Sequence, residues 1–428
     1  ALLGSYEVVH PRAEIEVYAD PLDSGQRPLA RQGLGDTLLR RMQSDLFRRV
    51  PPPRPAPRAA LDPADPSLQV HACHTRLREL QVLHDQLRGL LEDPRFDPPL
   101  QPREIAVLAP DIDPYIPYLD AVFGGRGRED SIPYALADAS PLAGESLADV
   151  FLRLLALPVA RFGLEETLDL LASPPLAESA GLDAGAFARL HAWLFAAGAR
   201  WGIDAAHRAR LDAPADDAYT WAFALDRLLL GHASGSDAPI ATASGHLIAP
   251  LPELEGSALD ALDTLIRLLR VLARHAQDLG DAMPPEAWRD RLLRLLDALL
   301  PKPPSAPATQ RALDRLRSLI DAFAADATRA GFDAPVPSEA VRAHFAAVLG
   351  EADTRAPLLT GGVSIGRMVP MRLLPFRAIC LLGMDDGDFP RRDAAAGLNR
   401  LTAELGTDRR QVGDRSTRDD DRFLFLQL

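Results

Sequence analysis

The order in which hydrophobic periodicities follow one another limits the fold of this chain more than any other feature. Short apolar strands alternate with helical spacings over residues 67–138, Leu-rich helical patterns run from about 145 to 352, and the strand-and-helix alternation returns at 360. In the first stretch Leu68-Gln69-Val70-His71-Ala72-Cys73 alternates as a strand. Leu77, Leu80, Leu83, Leu87 and Leu90 then recur at helical spacing behind Thr75, a residue type that caps helices. Glu104-Ile105-Ala106-Val107-Leu108-Ala109 and Ile132-Pro133-Tyr134-Ala135-Leu136 read as further strands, as do Val363-Ser364-Ile365 and the strongly apolar Ala378-Ile379-Cys380-Leu381-Leu382-Gly383. Strands separated by helices of this length predict a parallel sheet, and continuous apolar runs predict cover on both faces. A single α/β sheet domain drawn from residues 66–140 and 358–428, interrupted by an all-helical insertion over 145–352, explains this order more simply than three independent domains. Strands 105–109 and 378–383 are then expected to be near neighbours.

Within the middle stretch the spacing predicts helices at 146–157, 164–173, 183–198, 219–231, 257–278, 286–299, 308–328 and 337–349. Prolines and glycines punctuate them, as in Ser173-Pro174-Pro175 and Gly231–Pro239, and the absence of a fixed period disfavours a solenoid. Trp193, Trp201, Trp221 and Trp288 all fall here and read as core or helix-packing anchors. Before the first sheet stretch, Pro51-Pro52-Pro53-Arg54-Pro55-Ala56-Pro57 reads as a stiff linker. Ahead of it, an alternating strand at Glu14–Tyr18 and a helical run near Leu38–Leu46 make residues 1–60 look like the tail of a preceding domain plus its linker. The first residues have no basic start and no long apolar region, and the last, Phe423–Leu428, lie inside an amphipathic run without cap or breaker. The chain is therefore expected to be an internal piece of a longer polypeptide.

Composition narrows the chemistry. Every basic residue is Arg except Lys302, which lies in the loop Leu300-Pro301-Lys302-Pro303-Pro304. A phosphate-binding loop needs its Lys directly after a Gly at the end of a Gly-rich turn, so no nucleotide-hydrolysing loop and no cofactor are expected in this chain. Cys73 and Cys380 cannot build a disulfide framework or a structural zinc site, and they read as reduced core residues of a cytoplasmic protein. His71 and His74 lack acidic or Cys partners for a metal, and Asp111-x-Asp113 lacks the Gly and distal Glu of a calcium loop, so it reads as an acidic helix start. There is no Gly-x-Ser-x-Gly elbow for nucleophilic hydrolysis. No stretch of about 18 apolar residues lacks an Arg, Asp or Glu, so no membrane span is expected. The formal net charge is −13, yet it is uneven: segments 1–139, 140–354 and 355–428 carry −5, −10 and +2. Arg409, Arg410, Arg415, Arg418 and Arg422 crowd the basic segment, and a local patch of this kind can hold phosphates even on an acidic protein.

The segment from 363, VSIGRMVPMRLLPFRAICLLGMDDGDFP, resembles the second motor domain of superfamily 1 helicases of the UvrD kind. There a strand leads into Thr-x-His-x-x-Lys-Gly-Leu-Glu, followed by a buried strand ending in Gly-Met-Glu-Glu-Gly-x-Phe-Pro. Gly383, Met384, Asp385, Asp386, Gly387, Phe389 and Pro390 match the downstream half. The family's threonine, histidine, lysine, glycine and glutamate fall instead on Arg367, Val369, Arg372, Leu373 and Pro375, and a proline at the last position removes both a carboxylate and a backbone donor. The ordered blocks LQVHACHTRLRELQVLHDQL, IAVLAPDIDPYIPYLDAVFG, IPYALAD, RWGID with TWAFALDRLLLG, MVPMRLLPFRAICLLGMDDGDFPR and GDRSTRDDDRFLFL resemble the RecC family, gamma subunits of exodeoxyribonuclease V.

That resemblance implies an inactive RecA-like helicase domain (2A-like, residues 66–144 and 355–428) interrupted by a helical 2B-like insertion (145–354). It implies a scaffold that holds RecB-like and RecD-like subunits, channels single- and double-stranded DNA, and helps read the recombination hotspot Chi. ATP and Mg would be used by the partner subunits, not by this chain. Two other readings stay open: half of an active ATP-dependent helicase, which should have kept the His, Gly and Glu of the loop, and a helical protein-interaction module without DNA contact, which fits the acidic middle but leaves the basic tail unexplained. The residues expected to meet DNA are Arg367, Arg372, Asp414, Arg415, Arg418, Asp419 and Arg422. Arg415 and Arg422 are expected to guide the strand and Asp419 to read or latch it, against the plainer expectation of an ion-pair network at a helix start.

Overall fold

The computed structural model describes residue 20 and residues 37–49, 64–124, 131–242, 247–252, 258–351, 361–371, 374–393, 399–411 and 413–428. The strand expected at 14–18 lies outside them. The chain divides into two compact units, one of residues 1–137 with 356–428 and one of residues 138–355.

The first unit opens with helix α1 (Leu38–Phe47) and helix α2 (Arg76–Leu91). Thr75 caps α2 by accepting from the Arg78 backbone N–H at 3.2 Å, as its residue type led us to expect. Strand β1 (Ile105–Ala109), helix α3 (Ile116–Phe123) and strand β2 (Tyr134–Leu136) follow. From the far end of the sequence come β5 (Val363–Arg367), α15 (Met368–Met371), β6 (Ala378–Leu381), α16 (Arg400–Ala403) and α17 (Thr417–Gln427). The four strands form one parallel sheet in the order β2-β5-β1-β6. Val107 lies beside Ile365 on one flank and Cys380 on the other, so the strands at 105–109 and 378–381 are direct neighbours.

Every residue of β1 is buried, which a half-solvated strand would not permit. Ile105, Val107 and Ala109 pack with Leu80, Leu83 and Leu87 of α2 and with Leu119 and Phe123 of α3. The alternate residues Ala106 and Leu108 pack with Met368, Phe389 and Leu424. Leu68–Cys73 is not a strand: the segment has no ladder partner among the described residues, and Val70 is 91% exposed. Alternation showed which side chains share a face; it did not supply a neighbouring backbone to bond. Cys380 is half-buried, and desolvation pushes its thiol up to about 11, consistent with an unreactive core thiol.

The second unit contains α4 (Pro141–Gly144), α5 (Ser146–Leu155), α6 (Leu164–Leu171), α7 (Pro174–Ala180), α8 (Ala184–Ala197), α9 (Ala205–Arg210) and α10 (Trp221–Ser234). After the hairpin strands β3 (Ile240–Ala241) and β4 (Leu247–Ile248) come α11 (Ala258–Asp278), α12 (Pro285–Leu299), α13 (Pro307–Arg329) and α14 (Ser338–Gly350). The all-helical expectation needs two corrections. An antiparallel hairpin, Ile240 paired with Ile248, follows the Gly231–Pro239 break, in a stretch for which the spacing predicts no strand. Pro174-Pro175, read as a stop, instead begins α7, because the first helical turn has no use for their missing N–H groups. The core is Leu-rich and anchored by Trp221 and Trp288, each almost fully buried with its indole N–H donating 2.8 Å to a carbonyl, of Phe162 and Val336 respectively. Trp193 is only partly buried at the edge of this core.

One close approach in the second unit yields a sharp test. A Cβ on Gly231 would lie 2.2 Å from the carbonyl carbon and oxygen of Leu251, where the loop after β4 crosses α10. Backbone cannot rotate aside as a side chain can, so Gly231→Ala is expected to destabilise the unit by about 2–3 kcal/mol. Urea denaturation would measure it, and an unchanged midpoint would contradict this packing.

Candidate nucleic-acid interface

In a parallel sheet the loops beyond the carboxyl ends of the strands gather ligands, because successive crossovers converge there. In this chain that edge is occupied by ion pairs. β1 leads to Asp111, whose Oδ1 accepts from the Asp113 N–H at 3.2 Å and so shapes the turn into residues 113–115. β5 ends at Arg367, whose guanidinium lies 2.9 Å from Asp111 and 3.0 Å from Asp113. Asp111-x-Asp113, read from sequence as an acidic helix start, is also the carboxylate pair that holds this arginine. Arg367 is three-quarters buried, so a phosphate would have to displace two carboxylates to reach it. Arg372 lies outside the described residues.

The segment after β6 is pinned equally firmly. Glu79 of α2 accepts from the Gly383 N–H at 2.9 Å through one oxygen and from the Tyr115 hydroxyl at 2.7 Å through the other. Burial, reinforced by the bond to Glu79, pushes the Tyr115 phenol well above its ordinary range. Gly383 has φ +65°, and a Cβ there would meet the Tyr115 hydroxyl oxygen at 3.1 Å, so both conformation and space favour glycine at the head of the Gly-Met-Asp-Asp-Gly turn. Asp385 closes that turn by accepting from the N–H groups of Gly387 and Asp388.

The arginine-rich tail is organised around the start of α17. Ser416 caps the helix by accepting from the Asp419 N–H at 3.2 Å, while its own hydroxyl donates to Asp393 at 3.0 Å. Asp393 also accepts from the Arg418 N–H; burial opposes its charge, but these donors hold it below the usual carboxylate range. Asp421 is 1% exposed and receives Arg391 in a fork, with guanidinium contacts of 2.6 and 3.0 Å and a backbone N–H at 2.7 Å. Burial alone would raise the Asp421 pKa; the Arg391 bonds outweigh it and leave the group lowered.

The expected DNA-contacting residues are thus distributed unequally. Asp414 closes a local turn by accepting from the Gln411 N–H. Arg415 reaches Asp420 at 2.5 Å but keeps its side chain 80% exposed. Asp419 stands between two arginines, with Arg410 at 3.1 Å and Arg422 at 3.7 Å. The side chain of Arg418 is exposed. Arg391, Asp393 and Asp421, which fix the geometry of this tail, were missed by sequence reasoning. A Ser followed three residues later by Asp carried the capping signal, whereas pairing across the 30 residues from Arg391 to Asp421 carried none. Among the described residues no group of three or more His, Cys, Asp or Glu could hold a metal ion, and no helix is long and apolar enough to cross a membrane.

Residues 144–353 match the family model described as the RecBCD enzyme subunit RecC fourth domain. The RecBCD enzyme subunit RecC of Escherichia coli (strain K12) is 35% identical over 407 residues, covering 92% of this chain and 34% of that protein. The chain belongs to the RecC family. RecC of Mycobacterium tuberculosis (strain H37Rv) is also 35% identical, over 91% of this chain and 34% of its own length, and that of Haemophilus influenzae is 28% identical over 85% and 31%. The chain spans about a third of the length of the curated RecC relatives it matches. The fourth-domain match falls within the 138–355 unit, while the likeness to whole RecC sequences extends over the sheet as well.

Proposed function

We propose that this chain is a catalytically silent, RecA-like 2A domain with a 2B-like helical insertion, acting as scaffold and DNA-channel element of a RecBCD-type complex that processes double-strand breaks for recombinational repair. The observation that carries this reading is Arg367, held between Asp111 and Asp113 at the carboxyl edge of the sheet. An active superfamily 1 motor would present a threonine there; in this chain the edge is closed by internal charge pairs. Strand contact then falls to the exposed arginines of the tail, Arg415, Arg418 and Arg422. They lie on a helix start that Asp393 and Asp421 lock in place. ATP and Mg belong to RecB-like and RecD-like partners in this reading, and the complex works in the cytoplasm on single- and double-stranded DNA.

Asp419 links two arginines of this tail, and its carboxylate can accept from a base amino group as readily as from a guanidinium. Asp419→Ala in the intact complex is expected to leave unwinding in place and weaken the Chi response about fivefold or more, the scale of one lost base contact. If both unwinding and the Chi response stay at wild-type level, Asp419 is a structural residue and its assigned role is wrong.

A further inference from the structure

The helical unit carries an aromatic and arginine patch that the DNA-channel reading leaves unused. Phe195, near the end of α8, and Tyr219, just before α10, expose 53% and 55% of their surface. Arg200 joins them: its backbone N–H donates to the Tyr219 carbonyl at 2.9 Å while its guanidinium covers the Phe195 ring, and a Cβ on Gly198 would meet the rings of Tyr219 and Phe223 at 3.3 Å and Arg227 at 3.6 Å. Arg200 lies over the Phe195 ring at 4.3 Å and Arg227 over Phe223 at 5.6 Å. Single water-exposed aromatics are ordinary; two of them on one arginine-backed surface have the composition of a binding hot spot.

The chemistry of the patch excludes one occupant and favours another. The Arg200 guanidinium donates to the carbonyls of Phe195 and Ala199, and that of Arg227 to the carbonyls of Ala197 and Ala249. Both cations therefore serve to close the end of α8 and are poorly placed to take a phosphate. The rim is acidic. Glu165 accepts from His191, which stacks on Phe195, and Asp216 and Asp217 lie in the turn that presents Tyr219. Asp226 of α10 lies close enough to Asp217 for their charges to interact, and burial followed by that repulsion raises its pKa. Residues 140–354 as a whole carry −10. DNA would be repelled here, whereas a protein segment bearing Lys or Arg beside an apolar side chain would meet complementary charge and a ring to pack on.

We infer that this patch is a docking surface for a basic, apolar-anchored segment of a partner subunit, with Phe195 and Tyr219 as its anchors and Asp217 and Asp226 as its charge rim. The inference rests on the assembly reading above.

It is tested in the full-length RecC-family protein purified with its RecB-type and RecD-type subunits. Phe195→Ala with Tyr219→Ala is expected to weaken assembly at least tenfold. Asp217→Asn with Asp226→Asn is expected to weaken it several-fold and to flatten its salt dependence, while the side-chain amide oxygen introduced at position 217 can still accept the Ala205 N–H that Asp217 binds. A benzophenone side chain introduced at 219 should cross-link to a Lys- or Arg-bearing peptide of a partner. Wild-type affinity in both double variants, or cross-linking only to DNA or to the same chain, overturns the docking surface alone. A wild-type protein that fails to assemble with those subunits overturns the assembly reading together with it.

Discussion

Replacing Trp221 by alanine is expected to remove about 3–5 kcal/mol from the stability of the 138–355 unit. The side chain is 2% exposed and packs in the Leu-rich core, so its removal forfeits a large apolar contact area and leaves a cavity that helices on several sides cannot all close. It also strands the carbonyl of Phe162, itself held at φ +53°, which accepts the Trp221 indole N–H at 2.8 Å. Equilibrium unfolding in guanidinium, followed by far-ultraviolet circular dichroism, reads the loss. A decrease below about 1 kcal/mol would mean that Trp221 is not the anchor described.

Asp421→Ala should also have a large effect. Breaking a buried ion pair is worth about 3–5 kcal/mol; the Arg391 side chain is half exposed, so water compensates part of it and about 2–3 kcal/mol is expected. The effect carries a pH signature. The folded-state pKa of Asp421 lies below the ordinary carboxylate value, so the contribution is complete above the unfolded pKa near 4 and vanishes as pH falls through the lower, folded value. The stability curves of wild type and variant should be well separated at pH 7 and converge in acid. A constant gap down to pH 2 would show that the loss arises from packing and not from the charge.

The sheet was legible where a strand's neighbours could be anticipated from its own apolarity. Ile105–Ala109 is apolar at every position, which demands cover on both faces, and the equally apolar run at 378 supplied a flanking strand. Leu68–Cys73 failed for the complementary reason: alternation describes one strand's faces, and pairing is a property of two. In the helical unit the 3.6-residue spacing located the long helices well, but short α7 and α9 were invisible because one or two turns leave too few repeats to count. The tail was legible in kind and not in detail. Residue types announced arginine–aspartate pairing at a helix start, yet the carboxylate that matters most to the fold is Asp421 rather than Asp419, a difference set by burial. For Arg367, expected at DNA, no spacing announced its pairing with Asp113 and Asp111, 254 and 256 residues away in sequence.

The position of β1 has a further consequence, for the order in which the polypeptide is made. Both of its lateral neighbours, β5 and β6, come from beyond residue 360, and Ala106 faces Ser364 across a gap of 258 residues. At a synthesis rate of about 5–20 residues per second, roughly 13–50 s pass between the emergence of β1 and that of its first partner. Throughout that interval an apolar strand with both edges open is present at the ribosome, the form in which chains most readily pair with one another. The helical unit, whose contacts are made between segments translated in that same window, can complete its core first. Slow closure of the sheet, rather than weakness of its native contacts, is then the step at which the nascent chain is most exposed to aggregation.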